Sequence, residues 1–249
     1  MSMVGEIYLL FKRRLLATLR QPVWLISELM TPILYLVLFS PLLKNMNLGT
    51  SNVLDVFVPG MLVLLAFSSG TGIGWTIIFE LQGGVIERLR VTPVRRFSLM
   101  MGTVVNDVFF MVSTSIVVIF ISWIFGLTVH ILGLIVLLIL ISLLTSMISA
   151  VCGSLGLILK QVGSLAAVVT GLQLPIMLLG GILVPLEVGP AWLQNIAHIN
   201  PLYYAVKASR VLSAGTILNY TVLEAFLVII PLTIIAFWWS TRVYNKAVA

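Results

Sequence analysis

Apolar and polar positions segregate along this chain by whole segments. Residues 22–43, 53–79, 99–125, 131–159, 165–184 and 218–239 are almost entirely apolar. A helix rises 1.5 Å per residue, so about 20 apolar residues cross the hydrocarbon core of a bilayer. The pattern therefore predicts an all-α integral membrane chain with six transmembrane helices. Two further segments carry apolar residues without forming such runs. Residues 5–20 place Ile7, Leu10, Phe11, Leu15 and Thr18 on one helical face and Glu6, Arg13 and Arg20 on the other, with Arg14 interrupting the apolar face and Leu9 the polar one. Gln21-Pro22 breaks this helix from the first span. An N-terminal interfacial amphipathic helix on the cytoplasmic leaflet is the reading. Residues 185–210 are rich in apolar and aromatic side chains, but Gly189-Pro190 and Asn200-Pro201 interrupt them too often for a span. They predict a re-entrant helical hairpin, dipping into the outer half of the bilayer between spans five and six and covered there by protein or facing a wet cavity. Trp192, Leu193, Ile196 and Ile199 are expected on its buried face.

Charge orients the serpentine. Of 14 Lys and Arg, one side receives Lys12, Arg13, Arg14, Arg20, Arg88, Arg90, Arg95, Arg96, Lys160, Arg242 and Lys246, leaving Lys44, Lys207 and Arg210 on the other. Cytoplasmic loops carry such an excess, so both termini and the loops after spans two and four are expected in the cytoplasm. The net charge of +6 follows from these topogenic cations and from anionic headgroups beside them, which argues against nucleic acid as a partner. Residues 1–20 lack the short apolar core and cleavage site of a signal peptide, so the first span is expected to stay attached.

Candidate chemistry is sparse. Cys152 is the single cysteine and lies within span four; His130 and His198 are the two histidines, without ligands clustered near them. No phosphate-binding loop, His-Glu-x-x-His or Gly-x-Ser-x-Gly occurs. The chain is therefore expected to be no enzyme by itself and to hold no metal or nucleotide of its own. Glu28, Glu80, Lys160 and Glu224 lie near span ends, where side chains reach headgroups. Asp107, beside Asn106, is deeper; it is either a substrate or proton contact or one end of an interhelical hydrogen bond. Small residues in span two (Gly70, Gly72, Gly74) and the four-residue series Gly163, Ala167, Gly171 in span five suit close helix contact. In span two a kink or a substrate-facing groove is the alternative.

Two segments resemble a known family. Gly84-Val85-Ile86-Glu87-Arg88-Leu89-Arg90-Val91-Thr92-Pro93 is similar to the loop Gly-x-Leu/Ile-Glu-x-Leu-x-x-Thr/Ser-Pro of ABC-2 type permeases, the membrane subunits of ATP-binding-cassette exporters. The doubled Gly83-Gly84 departs from it, since relatives often have a charged residue before the glycine. Gly180-Gly181-Ile182-Leu183-Val184-Pro185, Pro190-Ala191-Trp192-Leu193-Gln194, Asn200-Pro201-Leu202-Tyr203-Tyr204 and Arg210 resemble the family's C-terminal signature. The whole chain looks most like the drug- and antibiotic-efflux subgroup, as a single membrane domain over 1–249. The resemblance implies a cytoplasmic coupling loop at 80–96, with Glu80, Gly84, Ile86, Glu87, Arg88, Leu89, Arg90, Thr92 and Pro93 as its coupling residues. It implies an external hairpin or outer gate at 185–210, built on Pro185, Trp192, Leu193, Asn200, Pro201, Tyr203 and Tyr204. Implied partners are ATPase subunits that bind ATP and magnesium, a second copy or paralogous permease, membrane lipids and an amphipathic substrate. The implied setting is the cell membrane of a bacterium or archaeon. A self-sufficient secondary transporter is the alternative; neither inverted repeats nor charges converging on a midplane favour it.

Overall fold

The computed structural model describes residues 3–20, 26, 29–30, 32–38, 54–85, 95–182, 186 and 190–247. Their regular structure is entirely helical: α1 (Met3–Leu19), α2 (Leu54–Gln82), α3 (Arg96–Ile124), α4 (Ile131–Leu159), α5 (Val162–Leu179), α6 (Ala191–Ala197), α7 (Pro201–Ser213) and α8 (Tyr220–Ala247). Five of these, α2, α3, α4, α5 and α8, are long and apolar enough to cross a membrane. Residues 32–38 are helical within the expected first span, most of whose remainder lies outside the described residues.

Five of the six expected spans, the second to the sixth, correspond to α2, α3, α4, α5 and α8, most with shifted ends. α4 runs from Ile131 to Leu159 as expected. α5 stops at Leu179, five residues short of the expected 184, because Gly180 caps it and Gly181 turns the chain at φ +65°. Such a φ suits a residue without Cβ. α8 continues beyond 239 to Ala247, since nothing in its polar tail breaks a helix.

α2 and α4 form the hub. Their backbones meet where side chains are absent: a Cβ on Gly156 would lie 2.7 Å from the Gly74 carbonyl oxygen, and one on Gly70 would lie 2.8 Å from Ile148. Thr145 Oγ1 donates to the Ala66 carbonyl at 3.2 Å, joining the two helices through a buried hydroxyl. α8 is joined to α4 by the Ser154–Ser240 hydroxyl pair at 2.8 Å. α7 presses on α4 where a Cβ on Gly133 would collide with the Leu212 carbonyl oxygen.

Two sets of polar contacts mark the ends of the bundle. At one end, Asp55 Oδ1 accepts from the Thr128 amide at 3.1 Å, and Ser213 Oγ donates to the Asp55 carbonyl. At the other, basic end, α1 meets the last turn of α2 and the first of α3.

Candidate functional site

The basic end is built on four acidic or basic side chains drawn from α1 and α2. Glu80, near the end of α2, accepts from Arg13 Nη2 at 3.0 Å and Arg14 Nη2 at 2.6 Å. Arg14, which broke the apolar stripe in the sequence, is buried by this pairing. Glu6 is also buried, contrary to its expected place on the polar face. Its Oε2 accepts from Ser98 Oγ at 2.8 Å and from the Arg95 amide at 3.2 Å. Arg95 is the N-cap of α3 and supplies no side-chain cap of its own. A carboxylate from another helix thus sits at the positive end of α3, where unpaired amides favour an anion. The Ser98 hydrogen bond leads the groups holding the Glu6 carboxyl below its ordinary pKa, against desolvation.

The apolar face of α1 does not lie open to lipid as expected. A Cβ on Gly102 of α3 would fall 2.7 Å from Leu10 Cβ, and Phe11 meets Phe109 edge to face at 5.6 Å. Instead Val4, Tyr8, Leu9, Leu16 and Leu19 form the exposed apolar surface of α1. The ion pairs and the cap rotate the helix so that its two embedded charges point inward.

The loop for which the resemblance implies a coupling role begins at this junction. Glu80 is held by α1, and Gly84 adopts φ +66°. Ile86, Glu87, Arg88, Leu89, Arg90, Thr92 and Pro93 lie outside the described residues, as does Pro185.

The described part of the second implied site folds as α6 and α7. Asn200 joins them. Its Oδ1 accepts from the Leu202 amide at 3.0 Å as N-cap of α7, and its Nδ2 donates to the Ile176 carbonyl of α5 at 2.7 Å. Pro201 occupies the first turn of α7, where a missing amide hydrogen is harmless. Arg210 Nη2 donates to the Gly181 carbonyl at 2.8 Å, tying α7 to the turn after α5. Tyr204 Oη donates to the His198 carbonyl at 3.0 Å, and the Tyr203 and Tyr204 rings stack edge to face at 5.5 Å. The expected buried face of α6 is not found. Trp192, Ile196 and Ile199 are exposed and Leu193 is half-buried, whereas Ala197 is fully buried. A seven-residue helix anchored by Asn200 presents its small residue to the bundle, and its large ones turn away. Ile196 and Ile199 instead border an apolar cleft of about 430 Å³, with Met147 and Val151 of α4 and Val168 and Leu172 of α5.

A second cleft, of about 390 Å³, is different in character. It lies between α2, α3, the end of α1 and residues of the expected first span. Gly72 belongs to its lining, and an added Cβ there would meet no described residue within 4 Å. In span two, Gly70 and Gly74 pack as expected, while Gly72 lies on the wall of this cleft. Asp107 and Asn106 line this cleft. Asp107 Oδ2 also accepts from Ser149 Oγ of α4 at 2.7 Å, so the interhelical hydrogen bond foreseen for it exists. Ser69, Ser149 and Thr18 carried no signal in sequence beyond being hydroxyls among apolar residues. The signal for Glu6 and Arg14 was their position, since both fall at helical spacing beside the apolar stripe of α1.

A family model described as ABC-2 type transporter matches residues 5–213. The transport permease ycf38 of Cyanophora paradoxa is 32% identical over 219 residues, covering 84% of this chain and 74% of the relative. Its counterpart from Pyropia yezoensis is 30% identical over 235 residues, covering 88% and 78%. The daunorubicin resistance ABC transporter permease protein DrrB1 of Streptomyces coeruleorubidus is 24% identical over 207 residues, covering 82% and 73%.

Proposed function

Because the chain belongs to the ABC-2 type transporter family, we propose that it is the permease subunit of an ATP-driven exporter that moves an amphipathic substrate out of the cell. The family consists of membrane transport subunits that work with ATPase subunits. In this reading ATP and magnesium are bound by the partner, and this chain converts the partner's closure into movement of its helices. Six spans, the first within 22–43, place both termini in the cytoplasm, in keeping with the cation bias. The chain acts as one membrane domain in the cell membrane.

The observation that carries the coupling role is the clamp on Glu80. The loop at 80–96 leaves α2 at a point bound to Arg13 and Arg14 and returns into α3 at a point bound to Glu6. A push on the loop is thereby passed to α1, α2 and α3 together. The hairpin at 185–210 forms the outer gate, tied to the turn after α5 by Arg210 and to α5 itself by Asn200. α5 supplies an outward surface for a second permease, identical or paralogous. The DrrB1 relative, a drug-resistance permease by name, supports export of a drug-like molecule.

The test is purification of the tagged full chain from its native membranes, followed by reconstitution. A polypeptide bearing a phosphate-binding loop should copurify, and vesicles should accumulate substrate only with it and ATP. Glu87→Arg should leave insertion intact and weaken that association or uncouple hydrolysis from transport. Transport by the chain alone, driven by an ion gradient, would make it a secondary transporter.

A further inference from the structure

We propose that the outward face of α8 binds an anionic phospholipid, with Arg242 and Lys246 on its phosphate and Trp238, Ile235 and Ile234 along its acyl chains. The proposal does not depend on what the chain transports.

Helical spacing brings Ile234, Ile235, Trp238, Arg242 and Lys246 of α8 onto one face. These side chains are exposed. The opposite face holds α8 in the bundle. Ala236, Ser240 and Tyr244 are buried there, and Ser240 meets Ser154 of α4. Tyr244 has Arg14 and Glu80 as electrostatic neighbours, so this end of α8 belongs to the basic end of the bundle. Arg242 precedes Tyr244 by two residues, about 200° round the helix, and points away from that cluster.

Along its length the exposed face changes character in the order of a lipid molecule. Ile234 and Ile235 come first and match hydrocarbon. Trp238 follows one turn on, and indoles favour the level of the headgroups. Arg242 and Lys246 stand about 6 and 12 Å further along the axis. Long basic side chains at a span end reach the headgroup region, where anionic lipids attract them.

The state of Arg242 is the second observation. Its Cζ lies 3.7 Å from the centre of the Trp238 ring. A cation that only sets topology needs no such fixed geometry. A guanidinium resting on a ring keeps N–H donors free to meet an anion. Arg13 and Arg14 of α1 are neutralised by Glu80; among the described residues no carboxylate does the same for Arg242 or Lys246. A phosphate diester fits this vacancy of charge. Two of its oxygens match the guanidinium fork, and Lys246 adds a second positive charge one turn on. A zwitterionic lipid would bring its own ammonium group toward Lys246, so the site selects a headgroup of net negative charge. An acidic protein segment would satisfy the cations and leave the apolar residues behind them unmatched. A phospholipid matches both.

The probes are phosphatidylglycerol and phosphatidylcholine, brominated on the acyl chains near the headgroup so that they quench adjacent indoles. Each is mixed into detergent micelles holding the purified full-length chain. The Trp238 signal is the difference between each protein and the same protein carrying Trp238→Phe, which keeps a ring beneath Arg242. Half-quenching should need a roughly fivefold lower mole fraction of phosphatidylglycerol than of phosphatidylcholine, the selectivity of one well-placed basic side chain. The double variant Arg242→Gln, Lys246→Gln should bring that ratio to about one without moving the melting point, since both side chains are exposed. Lys12→Gln removes an exposed charge from α1 and should leave the ratio as it is. Equal quenching by the two lipids in the wild type overturns the proposal. So does a preference that Lys12→Gln lowers as much as the double variant, because a diffuse surface potential would then account for it. A double variant that keeps its lipid preference but loses a copurifying ATPase assigns the two cations to a protein partner and removes the lipid site.

Discussion

α4 and α5 follow one another in the chain, both apolar and both bearing small residues at helical spacing, yet they meet opposite fates. Of the most apolar stretch of α4, 56% is buried within the chain; of α5, 11%. Gly153 and Gly156 of α4 sit against Ile77 and Gly74 of α2. Gly163, Ala167 and Gly171 of α5 are exposed, and an added Cβ on either glycine would meet nothing within 4 Å among the described residues. The contact expected for the α5 series is therefore not made among the described residues. In lipid, apolar character places a helix in the membrane without telling it which neighbour to choose, and small residues only permit a close approach. On α4 that approach is used by its own chain. On α5 it stays open.

The sharpest way to break this comparison is to add one methyl group to each kind of glycine. Gly133→Ala drives a Cβ into the Leu212 backbone oxygen, which cannot move aside as a side chain could. It should destabilise the chain by about 3 kcal/mol, the upper end for overpacking. Gly171→Ala should change stability by less than about 0.5 kcal/mol. Thermal unfolding in detergent reads both, and similar melting shifts would erase the distinction between the helices.

α1 belongs with α4, since its buried charges are spoken for inside the chain. Glu80→Ala leaves Arg14 buried without its carboxylate and should cost about 2 kcal/mol, somewhat less than a fully buried pair because the Glu80 side chain retains 19% exposure. Arg13, at 43%, should contribute about 1 kcal/mol or less. A double-mutant cycle that finds Arg13 the stronger partner would reverse this ranking.

The open face of α5 yields the next test. Gly171→Leu should leave the melting point alone but weaken self-association or pairing with a paralogue by roughly tenfold, equivalent to about 1.4 kcal/mol. Sedimentation in matched detergent measures it. Unchanged assembly would mean that the second permease docks elsewhere.

The smallest effect concerns the Glu6 cap. Its folded pKa lies below the ordinary 4.5, chiefly through Ser98. Its contribution is therefore fully present above that ordinary value and is lost as pH falls through the lower folded one. Hydrogen-exchange protection of the α1 amides, corrected for the intrinsic pH dependence of exchange, should be high at pH 7 and fall only once pH drops below 4.5. Ser98→Ala should bring that onset closer to 4.5. An onset near neutrality would assign the change to some other group.

Sequence and structure divide the remaining questions along physical lines. Long apolar runs against uneven cations were enough to specify a helical membrane chain, because a bilayer forces every backbone amide into local hydrogen bonds. The bounds of α4, the break at Asn200-Pro201 and the candidate pair Asn106-Asp107 were all legible, since each depends on local composition or on the cost of one polar residue in lipid. The faces were harder. Glu6 and Arg14 looked like blemishes on an amphipathic helix until α2 and α3 supplied Glu80, Ser98 and the Arg95 amide. The large residues of α6 looked like its buried face until Asn200 anchored the helix by its small one. Gly72 read like Gly70 and Gly74 until, among the described residues, only the latter two acquired neighbours. Periodicity along a chain defines which residues share a face. What that face meets depends on partners distant in sequence, and in this molecule only the packed bundle brings them together.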